Sequence, residues 1–317
     1  MKVKIIQNLM WTFMIYIFQI PLWKEKINIM GLFYLFTGED SKTTQKKNLN
    51  VLLLDLQKMG FITANIEYTN SLDKYKEKGV FRILDEIMAC IKSIRKELES
   101  QNFDGAKLEL ALYGISAEGQ LILLYTFSDK NDKNNTIPIK FIMNSVGICN
   151  MDPKYWYKPA IKNITLDNIE LVEEIEKEKK WIDEKFILHV TNLMSGKKLA
   201  QQELDVLIIN NKINTDDPKC QEMYKYAKYG YPLYVIGKCI IPMLCLYGGN
   251  DDLVGVVHYS YLREAYINNG AGDKIELVYM KYAGHERFHH NTDHDIIAMK
   301  EMHVKMIEYT KKYFTQD

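Results

Sequence analysis

From about residue 47 to residue 314 the chain keeps one beat, a short apolar run of strand character alternating with a longer amphipathic run. LNVLLLDLQKMG (49–60) has helical spacing with Gly60 as its stop, and FITANIEY (61–68) reads as a strand. VFRILDEIMACIKSIRKEL (80–98) is a long amphipathic helix with Ile83, Ile87, Ile91 and Ile94 on one face. KLELALYG (107–114) is a strand, GQLILLYTF (119–127) a helix and IKFIMNSVG (139–147) a strand. After a break the beat resumes: strand at 240–249, helix at 258–270, strand at 274–280, and a closing helix from about 295 to 314. Strands alternating with helices of this length predict a mostly parallel central sheet with helices on both faces.

The break, about 150–235, is charged, helical and irregular, as in VEEIEKEKKWIDEKF, and reads as a cap inserted into the domain. No repeat or low-complexity linker divides the chain. Its 317 residues are enough to bury a large core. The 41 basic residues balance 41 acidic ones, so no net field draws the chain to nucleic acid, and none is expected as a partner. The five cysteines, Cys90, Cys149, Cys220, Cys239 and Cys245, are odd in number and lack C-x-x-C spacing, which argues against a disulfide framework or a cysteine zinc site. Cys90 and Cys245 sit in apolar runs, as buried free thiols do.

Residues 1–37 do not follow the beat. Residues 5–23, IIQNLMWTFMIYIFQIPLW, lie between lysines like a signal-anchor, but Gln7, Asn8, Gln19 and Pro21 interrupt them and no small-residue cleavage site follows. A buried strand pair is the plain alternative. A cytoplasmic location is therefore expected. Membrane anchoring or export, and any membrane contact, depend on residues 5–23.

Three stretches carry chemistry. In LALYGISAEGQLILLY, Ser116 stands between a strand and a helix with Gly114 and Gly119 nearby. A serine on such a sharp turn is exposed as a nucleophile, and the amide of Ala117 is aimed where an oxyanion develops. An ordinary glycine-flanked turn with a serine N-cap would look similar. In CLYGGNDDLVGVVHY a strand ends on Asp251 and Asp252, where a carboxylate can hold a histidine tautomer or simply cap the next helix. In KIELVYMKYAGHERF, His285 follows the next strand, so serine, acid and histidine come in the order a triad on this kind of sheet requires.

Together GISAEGQLILLY, IPMLCLYGGNDDLV, YAGHERF, FITANIEY and FDGAKLELALYG make the chain from about 48 onward resemble an α/β-hydrolase. It is most similar to the bacterial branch with a G-x-S-A-G-G elbow that hydrolyses acetyl and feruloyl esters of plant polysaccharides. The resemblance implies Ser116 as nucleophile, Asp251 as acid, His285 as base and the Ala117 amide as one oxyanion donor, with no cofactor. It implies a serine esterase acting through an acyl-enzyme on a small or carbohydrate-linked ester. Val254, three residues past the acid as in that branch, favours Asp251 over Asp252. Two alternatives stand beside this expectation: a prolyl-oligopeptidase-like serine peptidase with the same triad, and a catalytically impaired binding protein on the same fold.

The pattern departs twice. Glu118 fills a position that the branch gives to glycine. The branch's His-Gly-Gly oxyanion loop belongs near 33–40, a region where this chain reads LFYLFTGEDSK (32–42). Phe36-Thr37-Gly38-Glu39 can be encoded TTC-ACG-GGG-GAG, whose slipped reading CAC-GGG-GGA gives His-Gly-Gly. A frameshifted start would then place the hydrolase domain at 38–317.

His285-Glu286-Arg287-Phe288-His289 also matches H-E-x-x-H, which needs both histidines one turn apart on a helix. Gly284 breaks the chain just before the motif, and Asn291, Thr292 and Asp293 look like an N-cap just after it. A metzincin continuation would need glycine and histidine where Thr292 and Asp295 stand. No metal site is expected.

Overall fold

The computed structural model describes residues 2–7, 14–19, 30–36, 52–68, 79–128, 136–149, 202, 208–209, 212–213, 240–249, 251, 254–285 and 293–314. Their strands are β1 Lys2–Gln7, β2 Met14–Gln19, β3 Met30–Phe36, β4 Ile62–Glu67, β5 Glu109–Ile115, β6 Ile139–Ser145, β9 Met243–Gly248 and β10 Ile275–Met280. A separate two-stranded ribbon pairs β7 (Ile208–Ile209) with β8 (Lys212–Ile213). The helices are α1 (52–58), α2 Gly79–Ser100, α3 Ala117–Phe127, α4 Val257–Asn268 and α5 Asp293–Phe314.

The eight-stranded sheet has the order β1-β2-β4-β3-β5-β6-β9-β10. From β4 to β10 neighbours run parallel, whereas β2 is antiparallel to both β1 and β4. The chain goes from β3 to β4 on one side, then returns to place β5 on the other side of β3. Such a reversal opens a crevice at the carboxyl ends of the flanking strands, the usual ligand position in open α/β sheets. Ser116 follows β5 at that crevice.

Both faces are covered, and β5 shows why its sequence alternates. Leu110 and Leu112 join one core with α2, α3 and α4, while Ala111 and Tyr113 join a second with α1 and α5. In α2, Ile83, Ile87, Ile91 and Ile94 are all buried, as their helical spacing predicts. Each such side chain contributes about 1.5–3 kcal/mol by leaving water. Helix α1 stops at Gly60, which takes a left-handed φ of 94° while the amide of Phe61 closes on Leu56 O at 3.1 Å. Cys90, Cys149 and Cys245 are buried free thiols.

The main sheet also takes in strands ahead of residue 38, where the hydrolase domain was expected to begin. Residues 2–7, 14–19 and 30–36 are strands of the main sheet, and β3 lies at its interior, paired with both β4 and β5. A strand within a covered parallel sheet is a continuous apolar run, so GLFYLF carries none of the alternation that marks a half-buried strand. None of the described helices is long and apolar enough to cross a membrane. The cap expected at 150–235 lies outside the described residues, apart from residue 202 and the β7–β8 ribbon.

Candidate active site

Ser116 lies between β5 and α3 with φ 56° and ψ −116°, a conformation that a residue with a Cβ rarely adopts. It occupies the N-cap position of α3, yet its side chain makes no capping bond. The N-cap alternative is thus set aside, and the hydroxyl is left for another partner. The elbow is tight on both sides. A Cβ on Gly114 would stand 2.4 Å from Glu118 O, and one on Gly119 would stand 2.7 Å from Gly147 Cα. Glycine is required at those two positions by close approach, whereas the positive φ falls on the serine itself.

Glu118 is buried in the first turn of α3, where the helix macrodipole favours a carboxylate. Its φ is not positive, so the backbone there does not demand the glycine that the family pattern supplies. The first amides of a helix have no intrahelical acceptor, and α3 opens at Ala117. The first turn of α3 closes from Gln120 N to Ser116 O at 3.1 Å, which leaves the Ala117 N–H ahead of the helix ladder.

The three residues picked out by motif order meet in space. Ser116 Oγ lies 2.9 Å from His285 Nε2. His285 Nδ1 lies 2.9 Å from Asp251 Oδ2 and 3.0 Å from Oδ1. A carboxylate can only accept, so Nδ1 carries the ring proton and Nε2 accepts from the serine hydroxyl. The Asp251 side chain is fully buried, and that of His285 is 12% exposed. Asp251 Oδ1 also accepts the Val254 amide at 2.7 Å, the link behind the Asp-x-x-Val spacing. Asp251 does not cap α4, whose N-cap is Val256. Asp252 lies outside the described residues.

His285 stands in a turn after β10, and α5 begins only at Asp293. Both ring nitrogens are engaged, with Ser116 and Asp251, so the histidine is not presented from a helix as H-E-x-x-H requires. Glu286 and His289 lie outside the described residues. So do residues 37–51, and with them residues 37–40 of the stretch where a His-Gly-Gly loop was expected, whereas residues 33–36 belong to β3.

Some neighbours escape sequence reasoning. Tyr247, buried within β9, donates to Gly147 O at 2.8 Å and accepts from Asn144 Nδ2 at 3.2 Å. Val146 has φ 46°, which is unusual for a β-branched residue. His258 is buried in α4, and its Nδ1 accepts the Cys149 amide at 3.2 Å. Burial pulls its pKa from 6.5 down to about 3, against a smaller upward pull from Asp251. Burial pushes the Cys149 thiol well up, so it stays protonated. No short motif marks these residues, since each depends on which strand ends become neighbours.

Solved structures share this architecture. A butyrate-bound thermophilic esterase, Est2, from the Planctomycetes species Thermogutta terrifontis has a TM-score of 0.63 at 15% identity, covering 100% of this chain and 96% of that one. Its native form gives 0.61 at 13% identity, covering 98% and 91% respectively. The same esterase phosphoramylated by tabun gives 0.58 at 14% identity, covering 98% and 94%. No protein-family model and no curated protein matches the chain. With the strand order and the helices on both faces, these likenesses show an α/β-hydrolase fold. Such a fold hosts many activities, so function has to be argued from the site.

Proposed function

We propose that this protein is a serine hydrolase that cleaves carboxylic esters through an acyl-enzyme. The observation that carries the proposal is the continuous hydrogen-bonded relay Ser116–His285–Asp251, with its serine on a strained strand-to-helix turn. In this reading His285 Nε2 takes the Ser116 proton as Oγ attacks the ester carbonyl, then gives it to the departing alcohol. Water then attacks the acyl-serine with the same histidine as base. Asp251 holds the Nδ1–H tautomer and stabilises the imidazolium. The Ala117 amide is one oxyanion donor, a group worth about 3 kcal/mol of transition-state stabilisation.

The acyl group is a small one, or an acetyl or feruloyl group carried on a carbohydrate. Its place in the proposal comes from the resemblance of the Ser116, Asp251 and His285 motifs to acetyl and feruloyl esterases. The Thermogutta esterase was captured with butyrate and with propionate, which favours a short chain.

A fluorophosphonate probe tests the nucleophile directly. Wild-type protein should be labelled and should hydrolyse p-nitrophenyl acetate, while Ser116→Ala should do neither. Equal labelling of wild type and Ser116→Ala, or no labelling of wild type, would refute the proposal.

A further inference from the structure

Tyr247 carries a buried hydroxyl in a strand that is otherwise apolar, Met243, Leu244, Cys245 and Leu246 preceding it. A phenylalanine would fill the same space without a polar atom to satisfy. The hydroxyl has one proton, which goes to Gly147 O at 2.8 Å, so it accepts from Asn144 Nδ2 at 3.2 Å. Both partners belong to the end of β6 and the turn that follows it. That turn includes Val146 at φ 46°, a conformation that persists only where its surroundings over-determine it.

The same turn is the floor under the nucleophile. Ser145 O accepts the Ser116 amide at 2.9 Å. A Cβ on Gly119 would stand 2.5 Å from Asn144 Oδ1, and one on Gly147 would stand 2.8 Å from Gly119 Cα. Elbow and turn therefore touch backbone to backbone at Gly119 and Gly147, with the Asn144 amide packed against both. Tyr247 lies four residues before Asp251 on the strand that delivers the acid. Its hydroxyl is thus a brace between that strand and the strand end supporting Ser116.

We propose that Tyr247 is a positioning residue for Ser116, fixing the nucleophile relative to the strand that carries Asp251 through the Asn144–Gly147 turn. The inference rests on the serine hydrolase reading. A misplacement of about 1 Å at a reacting atom costs on the order of a hundredfold in rate. Loss of one hydrogen bond to the turn should therefore appear in kcat rather than in KM.

The experiment compares Tyr247→Phe with Tyr266→Phe, which removes another buried tyrosine hydroxyl, bonded to Ile241 O just before β9. Both variants and wild type are assayed for p-nitrophenyl acetate hydrolysis and for the rate constant of fluorophosphonate labelling. Tyr247→Phe should lose at least fivefold in kcat relative to Tyr266→Phe, with KM within twofold of wild type and labelling slowed in parallel. A smaller difference, or a change confined to KM, overturns the inference. If Tyr247→Phe does not fold, Asn144→Ala, which takes one partner from the hydroxyl, is held to the same criteria. Wild type that resists labelling would sink the hydrolase reading and this inference with it. Labelled wild type with an unimpaired Tyr247→Phe would sink the inference alone.

Discussion

The Val254 amide donates to Asp251 Oδ1 at 2.7 Å, and the carboxylate that accepts it is the one facing His285. The turn after β9 thus holds the acid by its own backbone, so the carboxylate reaches the histidine already oriented. Asparagine can keep the bond to Val254 but cannot accept from the Nδ1–H as a carboxylate does. Asp251→Asn should fold normally and lose about 10³- to 10⁴-fold in kcat, since the histidine is then held in the wrong tautomer. Steady-state hydrolysis alongside a thermal melt checks this, and a loss of only a few-fold would count against the acid assignment.

Ser116 bears the backbone strain of the elbow, at φ 56° and ψ −116°. Glycine relieves that strain whereas alanine keeps its Cβ, and both lack the hydroxyl. Ser116→Gly should therefore be more stable than Ser116→Ala by about 1–2 kcal/mol. Urea unfolding of the two variants measures the difference, and equal midpoints would show that the turn is relaxed.

Gly119 meets Gly147 across the elbow, where a Cβ would stand 2.7 Å from Gly147 Cα. Backbone cannot step aside as a flexible side chain can, so Gly119→Ala should cost about 1–3 kcal/mol of stability. The fluorophosphonate reaction should slow with it. A variant with wild-type stability and labelling would mean that the two turns can separate freely.

His258 gives the fold a pH dependence. Its pKa falls from 6.5 to about 3 in the folded protein, so the native state excludes a proton that the unfolded chain binds. Its stabilising contribution is complete above pH 6.5 and is lost as pH falls toward 3, with a ceiling of about 5 kcal/mol. Urea unfolding at pH 7.5 and at pH 4.5 should show His258→Gln losing less stability on acidification than wild type. Equal losses would place the acid sensitivity elsewhere.

Because Ser116 and Asp251 engage both ring nitrogens of His285, ester hydrolysis should be indifferent to metal removal. Activity after exhaustive treatment with a zinc chelator should match untreated protein within twofold. A chelator-sensitive rate restored by zinc would revive the H-E-x-x-H reading.

Much of this fold can be read from residue order. The expected helix 80–98 is α2, Gly79–Ser100, and the expected strand 274–280 is β10, Ile275–Met280, because long periodic runs locate themselves. Ser116, Asp251 and His285 stand out in the sequence as well, each shortly past a strand, and the structure brings the three within hydrogen-bonding distance. The first three strands were less legible. Residues 5–23 read equally as a signal-anchor and as a buried strand pair, and it is the pairing of β2 with β1 and β4 that gives the strands.

The sequence by itself determined the alternating architecture, the order serine, acid, histidine, and the two glycines that let the chain fold tightly about Ser116. These are local properties, set by periodicity and by what a backbone without a Cβ can do. Tertiary structure alone decided that His285 and Ser116, 169 residues apart, lie within a hydrogen bond, and that Tyr247 reaches Gly147 beneath the elbow. Those contacts follow from strand order, which arises when the whole sheet buries its two faces at once and which no short stretch of residues encodes.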